Sequence, residues 1–200
     1  MQVAILTLDG FNEIDSFVAS TIINRLRPQG WTAHITAPTA QITSMNGVTV
    51  TAQRGMDFLA QADAVLIGSG IRTRDYAADP AFLAQMRLDP ARQLLAAQCS
   101  GTLLLARLGH IGSLPACTDL ISKPWVQDAG VQVIDAPFVA AGNVATAGGC
   151  LAAPYLAAWL IARGAGWDAA AAALHYVAPV GEKADYVARA AAVVQPFLPG

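Results

Sequence analysis

The stretch from Leu94 to Gly109 constrains this chain most. Leu94-Leu95-Ala96-Ala97 is a short apolar run, long enough for a buried strand, and the leucines from Leu103 to Leu108 recur at helical spacing until Gly109 ends them. Between the two halves stand Gln98, Cys99, Ser100 and Gly101. A strand that bends sharply into a helix needs small residues at the bend, because bulky Cβ substituents resist the dihedrals required. The same geometry lifts one side chain above the sheet edge, as in a nucleophile elbow. A helix N-terminus also brings free N–H groups and partial positive charge, which favours the thiolate, the reactive form of cysteine. The expectation is a reactive Cys99 held as thiolate at the carboxyl end of a central strand.

The rest of the chain supplies more elements of the same kind. Val3 to Leu8 and Ala64 to Ile67 are continuous apolar runs, as in sheets covered on both faces. Trp31 to Ala37 reads as a strand, and a helix is predicted from about Ile14 to Leu26, before Pro28 and Gly30. Asn46-Gly47 between Ile42–Met45 and Val48–Thr51 signals a hairpin with a two-residue turn. Asp79-Pro80 caps a helix predicted through Leu88. Further strands are predicted at Pro115–Leu120, Val131–Ile134, Phe138–Ala140 and Val144–Thr146, with a short helix at Lys123–Asp128. Gly148-Gly149 opens a long helix near Cys150–Ala162, Asp168 caps another to about Tyr176, and a last one ends near Pro196. Strands alternating with helices define an α/β fold, a mostly parallel sheet sandwiched by helices with a small hairpin. Ligands of such sheets bind beyond the carboxyl ends of the strands, so the loops Asp9–Asp15, Gly68–Arg74 and Cys99–Gly101 should meet there.

Composition narrows the function classes. At 200 residues the chain fits one domain, residues 1–200, with a sizeable core. A 54% hydrophobic and 13% charged make-up excludes disorder, and a formal net charge of -2 offers no footprint for nucleic acid. The longest apolar helix candidate is too short for a membrane span. The strand-like start leaves no room for a secretory signal, and three cysteines make no disulfide framework. A cytoplasmic protein with reduced thiols is expected.

Cys99 needs a partner that moves protons. Asp15, with Glu13 beside it, lies where the first strand gives way to the first helix. Two readings are open from position alone: the acids decorate a helix start, where the dipole favours them, or Asp15 serves the sulfur with a pKa raised by desolvation and like charge. Gly68-Ser69-Gly70 either turns the chain or presents N–H groups to a developing anion; its spacing fails the dinucleotide pattern. His34, His110 and His175 show no metal-ligand spacing, so no metal and no other cofactor is expected. Cys117 and Cys150 read as packing residues, with Cys150 near enough to Gly148-Gly149 to approach the pocket. Trp125 is the tryptophan with a place in a pocket wall.

In this order the motifs Glu13-Ile14-Asp15, Ile67-Gly68-Ser69-Gly70, Ala97-Gln98-Cys99-Ser100-Gly101-Thr102 and Thr146-Ala147-Gly148-Gly149 resemble the ThiJ/PfpI superfamily, over nearly the whole chain. The resemblance implies a flavodoxin-like, class I glutamine amidotransferase-like fold. With Tyr176-Val177-Ala178-Pro179 it is most similar to the isonitrile hydratase branch. It implies Cys99 as nucleophile, Asp15 as the acid hydrogen-bonded to it, Ser100 in place of a threonine, Gly70 as the residue whose N–H faces the pocket, and a homodimer. Thr118-Asp119 stands where many relatives carry Thr-His, and Gly68-Ser69-Gly70 replaces a usual Pro-Gly-Gly, so Ser69, Glu13 and Asp119 join the pocket candidates. The resulting expectation is a cysteine-dependent hydro-lyase that hydrates a small-molecule isonitrile to a formamide. The alternatives are a redox or stress-response protein with an oxidisable Cys99, and a non-enzymatic ligand-sensing module.

Overall fold

In the computed structural model, which describes residues 1–199, the strands are β1 (Gln2–Leu6), β2 (Thr32–Thr36), β3 (Gln41–Thr43), β4 (Thr49–Thr51), β5 (Ala64–Ile67), β6 (Leu94–Gln98), β7 (Phe138–Ala141) and β8 (Val144–Ala147). The helices are α1 (Glu13–Ile23), α2 (Thr73–Ala77), α3 (Pro80–Leu83), α4 (Gly101–Arg107), α5 (Lys123–Asp128), α6 (Ala153–Ala165), α7 (Trp167–Val177) and α8 (Lys183–Val194). Six strands form one sheet in the order β2-β1-β5-β6-β8-β7. All its pairings are parallel except the edge pair β7–β8. β3 and β4 make a separate antiparallel pair.

The uninterrupted apolar runs follow from burial on both faces. Val3 and Ile5 of β1, Ala64 and Leu66 of β5, and Leu94 and Ala96 of β6 join a core that includes residues of α1, α6, α7 and α8. Their alternating neighbours Ala4, Leu6, Val65, Ile67, Leu95 and Ala97 join a second core with α4 and the shorter helices. Side chains of a strand point alternately to its two faces, so a strand between two helical layers has no polar position. This is the flavodoxin-like, class I glutamine amidotransferase-like architecture expected from the sequence. No helix of the described residues is long and apolar enough to cross a membrane.

Several local expectations are corrected. The β3–β4 hairpin does not close on Asn46-Gly47 alone: residues 44–48 lie between the strands. The Ser44 hydroxyl accepts from the N–H groups of Asn46 and Val48, and Met45 N–H donates to Phe11 O, so this loop is recruited by its surroundings. The first α-helix ends at Ile23 and continues as 3-10 turns through Gln29. Asp79 caps as expected, but α3 stops at Leu83, and α2 precedes it, starting inside the expected loop Gly68–Arg74. Pro115–Leu120 and Val131–Ile134 are not strands; they share a single bridge, Ala116 with Val133. The Cys117 N–H instead donates to Thr146 Oγ1, a side chain that replaces a ladder partner. Asp168 lies in the first turn of α7 rather than capping it.

Candidate active site

β1, β5 and β6 are neighbours, so the loops after their carboxyl ends emerge side by side. The backbone stitches them together: Asn12 N–H donates to Ser69 O (2.9 Å) and Ile71 N–H to Gly10 O (3.0 Å). The approach is close enough to require glycine at position 70, where a Cβ would stand 2.5 Å from Gly10 O and 2.8 Å from Phe11 Cα. Gly70→Ala is therefore expected to cost about 1–3 kcal/mol, read as a lower urea midpoint with an unchanged m-value.

Cys99 occupies the bend between β6 and α4 with φ 48°, the one non-glycine positive φ among the described residues. Left-handed backbone costs an L-residue about 1–2 kcal/mol. The bend is held by Cys99 N–H donating to Ala147 O (2.8 Å) and by Thr118 Oγ1 donating to Cys99 O (2.7 Å). Gly101 lets the elbow nest against β5: a Cβ there would meet Gly68 O at 2.6 Å. The cysteine is 3% exposed and lines a cleft of about 370 Å³.

Asp15, on the first turn of α1, is fully buried. The α1 N-terminus is fixed by Asn12, whose side chain accepts from Ile14 N–H. This turns Asp15 toward the elbow, and its carboxylate, the Cys99 sulfur and the Cys150 sulfur lie within 4.8 Å of one another. Ser69 Oγ donates to Asp15 Oδ2, while Oδ1 has no hydrogen-bond partner. Burial raises the Asp15 pKa above the carboxylate's ordinary 3.8, and the Ser69 hydroxyl that donates to it offsets part of that rise.

The sulfur's protonation differs from the sequence expectation. Burial, then the negative charge of Asp15, with Cys150 and Asp119 adding, pushes the Cys99 thiol far up. The helix behind it has only seven residues, too short a dipole to outweigh lost hydration beside acids. Burial and the neighbouring acid disfavour the thiolate, and Cys99 and Asp15 titrate as a coupled pair.

The other candidates divide. Ser69, Gly70, Ser100, Asp119 and Trp125 line the cleft with Cys99. Gly70 N–H is not free: it donates to Ser100 Oγ (3.2 Å), and that hydroxyl donates to Thr73 Oγ1 (3.0 Å). Asp119 Oδ1 accepts from Ile121 and Ser122 N–H, capping the turn before α5. Glu13 turns away to the hairpin, where Ser44 Oγ and Asn46 Nδ2 donate to its two oxygens. The histidines stay outside: His34 meets Phe58 edge-on (5.5 Å), and none lines this cleft. Cys117 is a packing residue as expected, its thiol pushed up to about 12 by burial.

Three contributors escaped the sequence reading in whole or in part. Asn12 Nδ2 donates to Cys150 Sγ (3.1 Å), and Gln98 Nε2 donates to Gly149 O (2.7 Å), anchoring the loop that carries Cys150. Cys150 lines the cleft. Asn12 was recoverable as an N-cap ahead of an acidic first turn; Cys150, expected to approach the pocket beside Gly148-Gly149, carried no signal of its meeting with Asp15.

A parallel sheet with a strained cysteine at its central elbow and an acid from the first helix defines an α/β protein with a nucleophile-type thiol site. The DJ-1/PfpI family model matches residues 1–163, and the chain belongs to that family, which includes cysteine-dependent enzymes. Among solved structures it is similar to Schizosaccharomyces pombe DJ-1 (18% identity, TM-score 0.75, covering 90% of this chain and 100% of that one). A THiJ/PfpI family protein from Pseudomonas syringae matches at 20% identity and TM-score 0.77, covering 96% and 90% of the two chains. A DJ-1 superfamily protein from Salmonella typhimurium matches at 24% and 0.74, covering 89% and 98%. A search of curated proteins gave no match.

Proposed function

We propose that this protein is a cysteine-dependent hydratase of small isonitriles, acting through Cys99 and Asp15. The observation that carries the reading is the buried Asp15 carboxyl, with a free oxygen, beside the Cys99 sulfur in a cleft that no histidine lines. The terminal carbon of an isonitrile accepts a nucleophile and a proton on the same atom. A neutral thiol is therefore a suitable resting state: Asp15 takes the S–H proton as sulfur attacks and returns it to that carbon, giving a thioimidate on Cys99. Water then adds to the thioimidate carbon, one of its protons passing to the nitrogen and the other through Asp15 to the departing sulfur, so that an N-substituted formamide and the free thiol are released. Atoms balance without an external oxidant or reductant. Ser69 holds the carboxyl in place, and Ser100, which accepts from Gly70 N–H, lines the cleft with Cys99. Apolar groups such as Met45, Ile71 and Trp125 in a cleft of about 370 Å³ suit a small, weakly polar substrate.

The test is incubation of the purified protein with an alkyl or aryl isonitrile and quantification of the formamide. Time-dependent product from wild type supports the reading; none at any substrate concentration rejects it. Selective peroxide oxidation of Cys99 without turnover would favour the redox alternative.

The same reading includes a homodimer. An apolar groove of about 420 Å³ runs along Phe17 and Val18 of α1 to Pro154 and Pro179, and beside it Leu151 and Val180 are 81% and 92% exposed. A second copy is its proposed occupant, the groove bordering the Cys150 loop of the site. Light scattering is expected to give twice the chain mass, and Leu151→Glu combined with Val180→Glu to give the monomer.

A further inference from the structure

Asp15 comes from α1, Cys99 from the elbow and Cys150 from the turn before α6, and none is near another in sequence. One carboxylate oxygen and two sulfurs converge to within 4.8 Å of one another. The proposed hydration uses one sulfur and leaves Cys150 without a task. It also leaves a fully buried carboxylate oxygen, Asp15 Oδ1, without a partner, which is unfavourable for a polar group taken out of water. The cleft onto which both thiols open carries Asp119 as a second acid and no Lys, Arg or His among its lining residues, so its field favours a cation.

We propose that Asp15, Cys99 and Cys150 form a binding site for one thiophilic divalent cation of the Zn²⁺ class. Zinc takes thiolate sulfur at about 2.3 Å and carboxylate oxygen at about 2.0–2.2 Å, which sets tetrahedral ligand atoms roughly 3.5–3.8 Å apart. No pair of the three has to approach by much more than about 1 Å. Two sulfur donors select against Mg²⁺ and Ca²⁺, which take oxygen ligands. Asn12 Nδ2 on the Cys150 sulfur and Ser69 Oγ on Asp15 Oδ2 orient two of the three ligands from outside, as metal sites require. Three protein donors leave the fourth position to the cleft. Binding expels the thiol protons, so uptake releases acid to solution. The site needs only the cluster and not the isonitrile chemistry. A bound cation occupies the sulfur that would attack, so the loaded and the reactive states exclude each other.

The experiment titrates reduced, metal-free protein with Co²⁺ and then displaces it with Zn²⁺. The expected result is a thiolate charge-transfer band saturating at one ion per chain, with proton release. Cys150→Ser and Asp15→Asn should each weaken uptake by at least about ten-fold, and Cys117→Ser should leave it unchanged. In wild type, saturating Zn²⁺ should slow alkylation of both Cys99 and Cys150 by iodoacetamide, a readout that does not depend on the variants folding. Absence of the band, uptake undiminished in folded Cys150→Ser, or alkylation indifferent to Zn²⁺ would overturn the site. Formamide production is no part of the readout, so its failure and that of the cation site are separate results.

Discussion

Under the proposed function, Cys99→Ala is expected to abolish formamide formation, a loss on the order of 10⁴–10⁶-fold, because Cys99 is the sulfur presented at the elbow for the covalent step. The informative companion is Cys99→Gly. Glycine enters left-handed backbone without the Cβ penalty, and Cys99 stands at φ 48°. The glycine variant should be equally inactive yet more stable than Cys99→Ala by about 1–2 kcal/mol, measured by chemical denaturation. A dead enzyme that gains stability separates a functional sulfur from a structural one. Strain held at an elbow is then part of how the thiol is presented. Retained turnover in either variant would place the chemistry elsewhere.

Asp15→Asn is expected to lower kcat/KM by about 10²–10⁴-fold, since the amide can neither take the thiol proton nor return it. The pH dependence gives a second handle. Burial raises the Asp15 pKa above 3.8, so the carboxylate that accepts the proton is lost on acidification from a higher pH than for an ordinary aspartate. The acid limb of the wild-type profile should be displaced upward accordingly and vanish in Asp15→Asn. Stability moves in the opposite sense. Between the unfolded pKa and the raised native one, the native state binds more protons, so stability is full below the unfolded pKa and falls as pH rises through the native pKa. The neutral asparagine escapes that loss. Asp15→Asn should therefore be more stable than wild type near neutrality, and the gap should close toward pH 4; a constant gap would show that Asp15 does not titrate with folding.

Much of this arrangement was legible from residue order. The runs Val3–Leu6, Ala64–Ile67 and Leu94–Ala97 read as doubly buried strands because they contain no polar position, and Cys99-Ser100-Gly101 read as a bend because small residues tolerate it. The loops that meet at the site followed from strand polarity alone. Positions whose partners are distant in sequence were not legible. Pro115–Leu120 has strand-like composition, but Cys117 N–H finds the Thr146 hydroxyl instead of a ladder. Asn46-Gly47 is a strong turn signal, but Phe11 claims Met45 and draws out the loop. Glu13 and Asp15 are two residues apart on one helix turn, and the hairpin donors Ser44 and Asn46 draw Glu13 away from the site.

The amino-acid order by itself determined the alternation of buried strand and helix and the elbow that lifts Cys99, because periodicity and small-residue bends are properties of neighbouring residues. The folded molecule decided the burial of the sulfur with its acid, the departure of Glu13 to the hairpin, and the meeting of Cys150 with Cys99 and Asp15. These depend on desolvation and on charges brought together across the sheet, and neither acts on a residue until the chain around it has closed.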